Sequence, residues 1–338
     1  MDQRKQIRIT SGELSQLWTQ YMNESASICM LTYFLNKAED QEIKEVIEFA
    51  LQLSETHVET ISSILTEEKY IIPHGFKLDE DVDVTAPRLF SDVYALHFVH
   101  QMGKLGLTAY GQGLSLSIRS DITHYFRECL SESAKLFEMA KDLLLSKGLL
   151  VRTPYITSLD HVDYVKDQGF LWDFLGEKRP LTVLEITNLH ENIERNALGI
   201  ATLIGFSQVA NSKEVTKHFI RGIEIAKNQL GKLSKKLNES NLPAPMTWNS
   251  DVTNSTKFTF SEKIMMFYTE ALIVLGIGFY GISIATGPRI DLGASYNKFI
   301  LDIQRYAEDG ANIMINNSWL EKPPQASNRE QLAKKNMN

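Results

Sequence analysis

The sequence predicts an all-α protein made of two tandem four-helix bundles, each with a long crossover between its second and third helices. Three observations carry that reading. The chain repeats itself once at an offset of 172 and then 170 residues. Each copy holds four long stretches of apolar residues at helical spacing. A segment punctuated by Pro and Gly separates the second stretch from the third.

The repeat comes first because it fixes the rest. At an offset of 172, Leu17 pairs with Leu189, Ile28 with Ile200, Phe34 with Phe206, Glu42 with Glu214 and Pro73 with Pro245. At 170, Phe90 and Ser91 pair with Phe260 and Ser261, Tyr110 and Gly111 with Tyr280 and Gly281, Arg119 with Arg289, Asp121 with Asp291 and Pro154 with Pro324. A period this long belongs to two copies of a domain rather than to a solenoid of small units. The expected domains are residues 10–150, a docked linker over 151–180, a second copy over 181–324 and a flexible tail over 325–338.

Within the first copy, Leu17, Tyr21, Glu24, Ile28, Leu31 and Leu35 form one stripe, and Ile43, Ile47, Ala50, Ser54, His57, Ile61 and Ile64 form the next. The two make an antiparallel hairpin. Residues 69–87, with Pro73, Gly75 and Pro87, carry no sustained period and are long enough to cross from one end of a bundle to the other. Helix 3 is expected from about Phe90 to Ser117 and helix 4 from about Ser120 to Lys147, with the Arg119 and Asp121 pair fixing the turn between them. Asp79, Asp81 and Asp83 match the first, third and fifth places of an EF-hand loop, but Val84 and Phe90 replace its Gly and its bidentate Glu. A solvated acidic loop is expected there, without calcium. The linker's Phe170, Leu171, Trp172, Phe174 and Leu175 are expected to dock on a bundle.

Composition excludes several function classes. With 35 Lys and Arg against 42 Asp and Glu, the net charge is −7, so no basic face is expected for nucleic acid or an anionic membrane. Two cysteines, Cys29 and Cys129, make no disulfide framework, and the first ten residues lack the apolar core of a signal peptide. A reducing, cytoplasmic setting is expected. The apolar run Ala271–Ala285 is 15 residues, short of the roughly 20 that span a bilayer. Its Gly276, Gly278 and Gly281 spell G-x-G-x-x-G without a preceding strand, so they read as close helix packing and no organic cofactor is expected. Nothing in the sequence sets the oligomeric state.

Chemistry is expected where polar groups interrupt the apolar stripes, because a buried carboxylate or imidazole needs a partner. Glu24 lies in the stripe of helix 1, His57 in helix 2, His100 in helix 3 and Glu132 in helix 4. Folding the two hairpins back on themselves places these four near one level, with His97 and Glu138 as rivals to His100 and Glu132. Two Glu and two His suit a single Fe, Mn or Zn ion. The second copy has Asn196, Gln229, Glu270 and Asp302 at the matching places, so the metal site is expected in the first copy alone. The alternative is a buried polar network that fixes helix register without any metal.

The segments Leu17-Trp-Thr-Gln-Tyr21, Ala86-Pro-Arg-Leu-Phe-Ser-Asp92, Arg119-Ser-Asp-Ile122, Lys178-Arg-Pro-Leu181, Gly205-Phe-Ser-Gln208, Leu242-Pro-Ala-Pro-Met246 and Tyr306-Ala-Glu-Asp-Gly-Ala-Asn-Ile-Met-Ile315 resemble the duplicated ferritin-like proteins of unknown function from spore-forming Gram-positive bacteria. The resemblance runs over roughly residues 10–335. It implies two ferritin-like four-helix domains and no established activity or catalytic residues; its distant likeness to spore-coat ferritin-like proteins is an analogy of fold that carries no function, and a structural, stress or spore-associated role stands as the alternative to a metal site. Ser54 stands where ferritins carry the Glu of their Glu-x-x-His motif with His57, so di-iron ferroxidase chemistry is not expected.

Overall fold

The structure, a computed structural model, describes residues 7–171 and 179–335. The first repeat contains α1 (Ser11–Lys37), α2 (Gln41–Glu67), the one-turn α3 (Leu78–Asp81), α4 (Asp92–Leu116) and α5 (Ser120–Ser146). The second contains α6 (Val183–Val209), α7 (Lys213–Glu239), α8 (Glu262–Thr286) and α9 (Ile290–Asn316), and α10 (Arg329–Lys335) follows in the tail. The four long helices have 27, 27, 25 and 27 residues in both repeats. Each hairpin partner packs along its neighbour, α1 on α2, α4 on α5, α6 on α7 and α8 on α9.

Among the repeated features are residues that begin helices and fix the turns between them. Thr10 caps α1 in a capping box with Glu13, and Thr182 caps α6 in the same way with Glu185. The buried Glu13 carboxylate also accepts the backbone N–H groups of Ile118 and Arg119, both at 2.8 Å, which ties the start of α1 to the α4–α5 turn. Glu185 receives the Arg289 N–H in the matching place. Arg119 and Arg289 reach Asp121 and Asp291 across those turns, as expected.

The crossovers do more than the sequence suggests. Among the described residues the only β-pairings are two isolated antiparallel bridges, Val82 with Phe260 and Phe90 with Val252, and both join one crossover to the other. Their partners exchange under the 170-residue offset, so the joint has local two-fold character. Ser261 binds Asp81 through its N–H and Oγ, at 2.9 and 2.5 Å, while Ser91 binds Asp251 likewise at 2.8 Å for both. The acidic segment is therefore no solvated loop at its centre: Asp81 is 2% exposed because it caps the partner crossover and also accepts Lys77 N–H.

Two further expectations need adjustment. Among the described residues the linker docks near its two ends: Val151 packs against the core, and Phe170 lies under the Arg179 guanidinium at 4.0 Å while the Leu171 carbonyl accepts from Ile290. Tyr155, Leu159 and Tyr164 are exposed, and Trp172, Phe174 and Leu175 lie outside the described residues. The 15-residue apolar run sits inside α8, whose 25 residues make it, among the described helices, the one long and apolar enough to cross a membrane. It packs along α6 and α9 and buries Met265, Met266, Ile273 and Tyr280.

Candidate metal centre in the first repeat

Helical phase brings Glu24 of α1, His57 of α2 and Glu132 of α5 together in the interior of the first repeat. His57 Nε2 lies 2.8 Å from Glu132 Oε2, and His57 Nδ1 lies 3.4 Å from Glu24 Oε1. Tyr110 of α4 completes the group: its hydroxyl donates to Glu24 Oε1 and sits 3.1 Å from His57 Nδ1. Glu24 and His57 are buried, whereas the Glu132 side chain is 36% exposed and opens the site to solvent.

The electrostatics follow from this arrangement. Burial alone would strip His57 of its proton, but contacts with Cys129, Glu132 and Glu24 outweigh it and hold the imidazole far above its ordinary pKa. Burial likewise pushes the Glu24 carboxyl up, and the adjacent imidazolium and the Tyr110 hydroxyl more than reverse that, leaving it below the usual carboxylate range. Burial raises the Cys129 thiol, and the same imidazolium opposes the rise. One buried cation thus lies between two carboxylates.

His57, Cys129 and Glu132 each bring one potential ligand atom, a ring nitrogen, the thiol sulfur and a carboxylate oxygen, and the three lie within 4.8 Å of one another. Cys129 and Glu132 share one face of α5, three residues apart, as neighbours on a helix do. The Tyr125 ring stands edge-on to His57, and its buried hydroxyl is engaged by Cys129.

His100 does not join this group. Its ring stacks on Phe137 at 5.2 Å and its Nδ1 is buried without a partner, while His97 lies against Trp248 at 4.6 Å. The contacts of Gly103 with Phe137, Gly106 with Ser133 and Gly113 with Phe126 show how α4 and α5 are matched. Glu132 is level with the stretch of α4 approaching Tyr110, and ten residues separate that tyrosine from His100, about 15 Å along the helix. Glu138 is exposed, leaving Glu132 as the glutamate of α5 that faces the site.

Sequence reasoning missed Tyr110 and Cys129. The signal for the first was its identity with Tyr280 of the second repeat. The signal for the second was its place in the stripe of Glu132.

At the matching place, the second repeat has a neutral version of the same network. Asn196 Nδ2 donates to Tyr280 Oη at 2.8 Å, and that hydroxyl donates to Gln229 Oε1 at 2.8 Å. Phe299, fully buried, fills the position of Cys129. Glu270 stands apart with its Oε1 beside Gly310 and without a hydrogen bond, as its counterpart His100 stands apart in the first repeat.

A family model described as "Protein of unknown function (DUF3231)" matches the chain twice, over residues 2–162 and 169–332, one match per repeat. No curated protein matches the chain. Among solved structures, a protein from Bacillus halodurans described as a "putative spore coat protein" is similar at 20% identity and a TM-score of 0.40, over 46% of this chain and 99% of that one.

Proposed function

The chain belongs to the DUF3231 family, whose function is unknown, and on that premise we propose that it is a metal-binding protein with one Fe, Mn or Zn site inside the first of two ferritin-like four-helix bundles. The observation that carries the reading is the convergence of a His57 ring nitrogen, the Cys129 sulfur and a Glu132 carboxylate oxygen within 4.8 Å. Glu24, on the Nδ1 side of the ring, fits as the acceptor that orients His57, the outer contact that metal-bound histidines commonly make. The buried Tyr125 hydroxyl, engaged by Cys129, fits a hydrogen bond to the sulfur of a metal-bound thiolate. A thiolate among the donors favours Zn or Fe over Mn. The ion would take the place of the proton that His57 now shares with Glu132, so uptake releases protons and strengthens with pH.

A second reading is a structural, spore-associated protein without metal. What favours it is that both nitrogens of His57 already have partners. Elemental analysis of tag-free protein separates the two. We expect about one metal per chain, lost in His57→Gln; a content below roughly 0.2, unchanged after Fe, Mn or Zn addition, would leave the structural reading. Cobalt reconstitution then tests Cys129: a sulfur-to-cobalt charge-transfer band should appear and vanish in Cys129→Ser.

A further inference from the structure

Where the first repeat gathers its charged cluster, the second has a cavity of about 120 Å³ beside Asn196, Gln229 and Tyr280. Its origin is visible residue by residue. Gly199 and Ala226 line it at the places of Ser27 and Ser54, each short of its counterpart by one or two side-chain atoms. The walls are mostly aliphatic. Asn196, Tyr280 and Gln229 are tied to one another, which leaves little polarity to hold water.

One wall residue departs from that pattern. Arg195, in the place of Asn23, lines the cavity with its guanidinium 3.8 Å over the Phe279 ring and a hydrogen bond to Asn192. Its Nε is buried without a partner. No carboxylate lies within ion-pair distance of it among the described residues: neighbouring Glu191 is engaged by Lys104 at 2.5 Å. Glu194 is buried against Gln101 rather than paired with Arg195, and burial raises its carboxyl to about 7, so near neutral pH it carries only part of a charge. A cation beside an apolar cavity, lacking a counter-ion, fits a ligand that brings an anion with its apolar body.

We propose that the second repeat binds a small apolar carboxylic acid, of the size of a single ring, with its body in this cavity and its carboxylate on Arg195. The binding is independent of any metal in the first repeat. Apolar cavities of on the order of 150 Å³ take up benzene, so a ring-sized body fits the available space.

The test uses the full chain, with para-fluorobenzoate and neutral fluorobenzene as probes in fluorine NMR titrations. Saturable binding of the acid is expected, weakened at least about tenfold in Arg195→Met while fluorobenzene binding persists. Ala226→Leu, which fills the cavity, should abolish both and melt no lower than the parent. Gly199→Leu blocks the same space from α6 and replaces it if the first variant fails to fold. No saturable binding of the acid up to about 10 mM would overturn the proposal. So would acid binding that survives cavity filling, or acid binding that is indifferent to Arg195→Met.

Discussion

His57 keeps its proton against burial because Glu24 and Glu132 flank it, and that makes stability of the metal-free protein depend on pH in two directions. The pKa of His57 is raised on folding, so its contribution is complete below the unfolded value near 6.5 and declines as pH rises above it. The pKa of Glu24 is lowered, so its contribution is complete above about 4.5 and is lost as pH falls through the carboxylate range. Metal-free protein should therefore melt highest between about pH 4.5 and 6.5 as far as this network decides it. His57→Gln leaves two carboxylates without their cation and should cost about 3 kcal/mol near neutral pH. Changing both residues to the pair that the second repeat uses, Glu24→Asn with His57→Gln, should recover most of that loss and flatten the dependence. Melting curves from pH 4 to 9 read both effects, and a double variant less stable than the single would contradict the account.

Among the elements, glycines distinguish a helix face that is free from one that is crowded. A Cβ on Gly103 would come within 2.8 Å of the Phe137 backbone, so α4 and α5 touch there through main chain. Gly103→Ala must push the pair apart and should destabilise by about 1–3 kcal/mol. Gly278 of α8 has nothing within 4 Å of such a Cβ, and Gly278→Ala should stabilise by about 0.5–1 kcal/mol through backbone entropy. Denaturant titrations of the two variants should give opposite signs. The same elements show what could be read beforehand. The eight long helices were legible because apolar stripes recur at offsets of 172 and then 170 residues, Leu17 with Leu189 and Phe90 with Phe260. Glu24, His57 and Glu132 were legible as polar interruptions of those stripes. His100 was misplaced because folding a hairpin back gives its partner across one helix pair, Phe137, but not its level relative to the other pair. Asp81 was misread as solvated because its partner, Ser261, lies 180 residues away and no local pattern announces it.

For the molecule as a whole, the joint between repeats is continuous with the cores it connects. Phe90 of the first crossover packs on Gly205 and Phe206, and Phe260 of the second packs on Tyr33 at 4.9 Å. Tyr33 and Gly205 correspond under the 172-residue offset, so each crossover phenylalanine rests on the other repeat's first helix, the contact pattern of a two-fold dimer. The apolar core accordingly runs through Phe34, Leu96, Phe206 and Met265 without a break at the repeat boundary. The described middle of the covalent link, by contrast, contributes little packing: Tyr155 and Leu159 are 85% and 86% exposed. Holding the halves together is therefore the work of the buried joint, and brief chymotrypsin treatment should cut near Tyr155 and Tyr164 without separating them. The nicked protein should elute with the intact chain and unfold in one cooperative transition, because losing either half would expose the shared core of the other. Two fragments that part on gel filtration, or two melting transitions in the intact chain, would show instead that each repeat closes its own core and that the crossover contacts only decorate it.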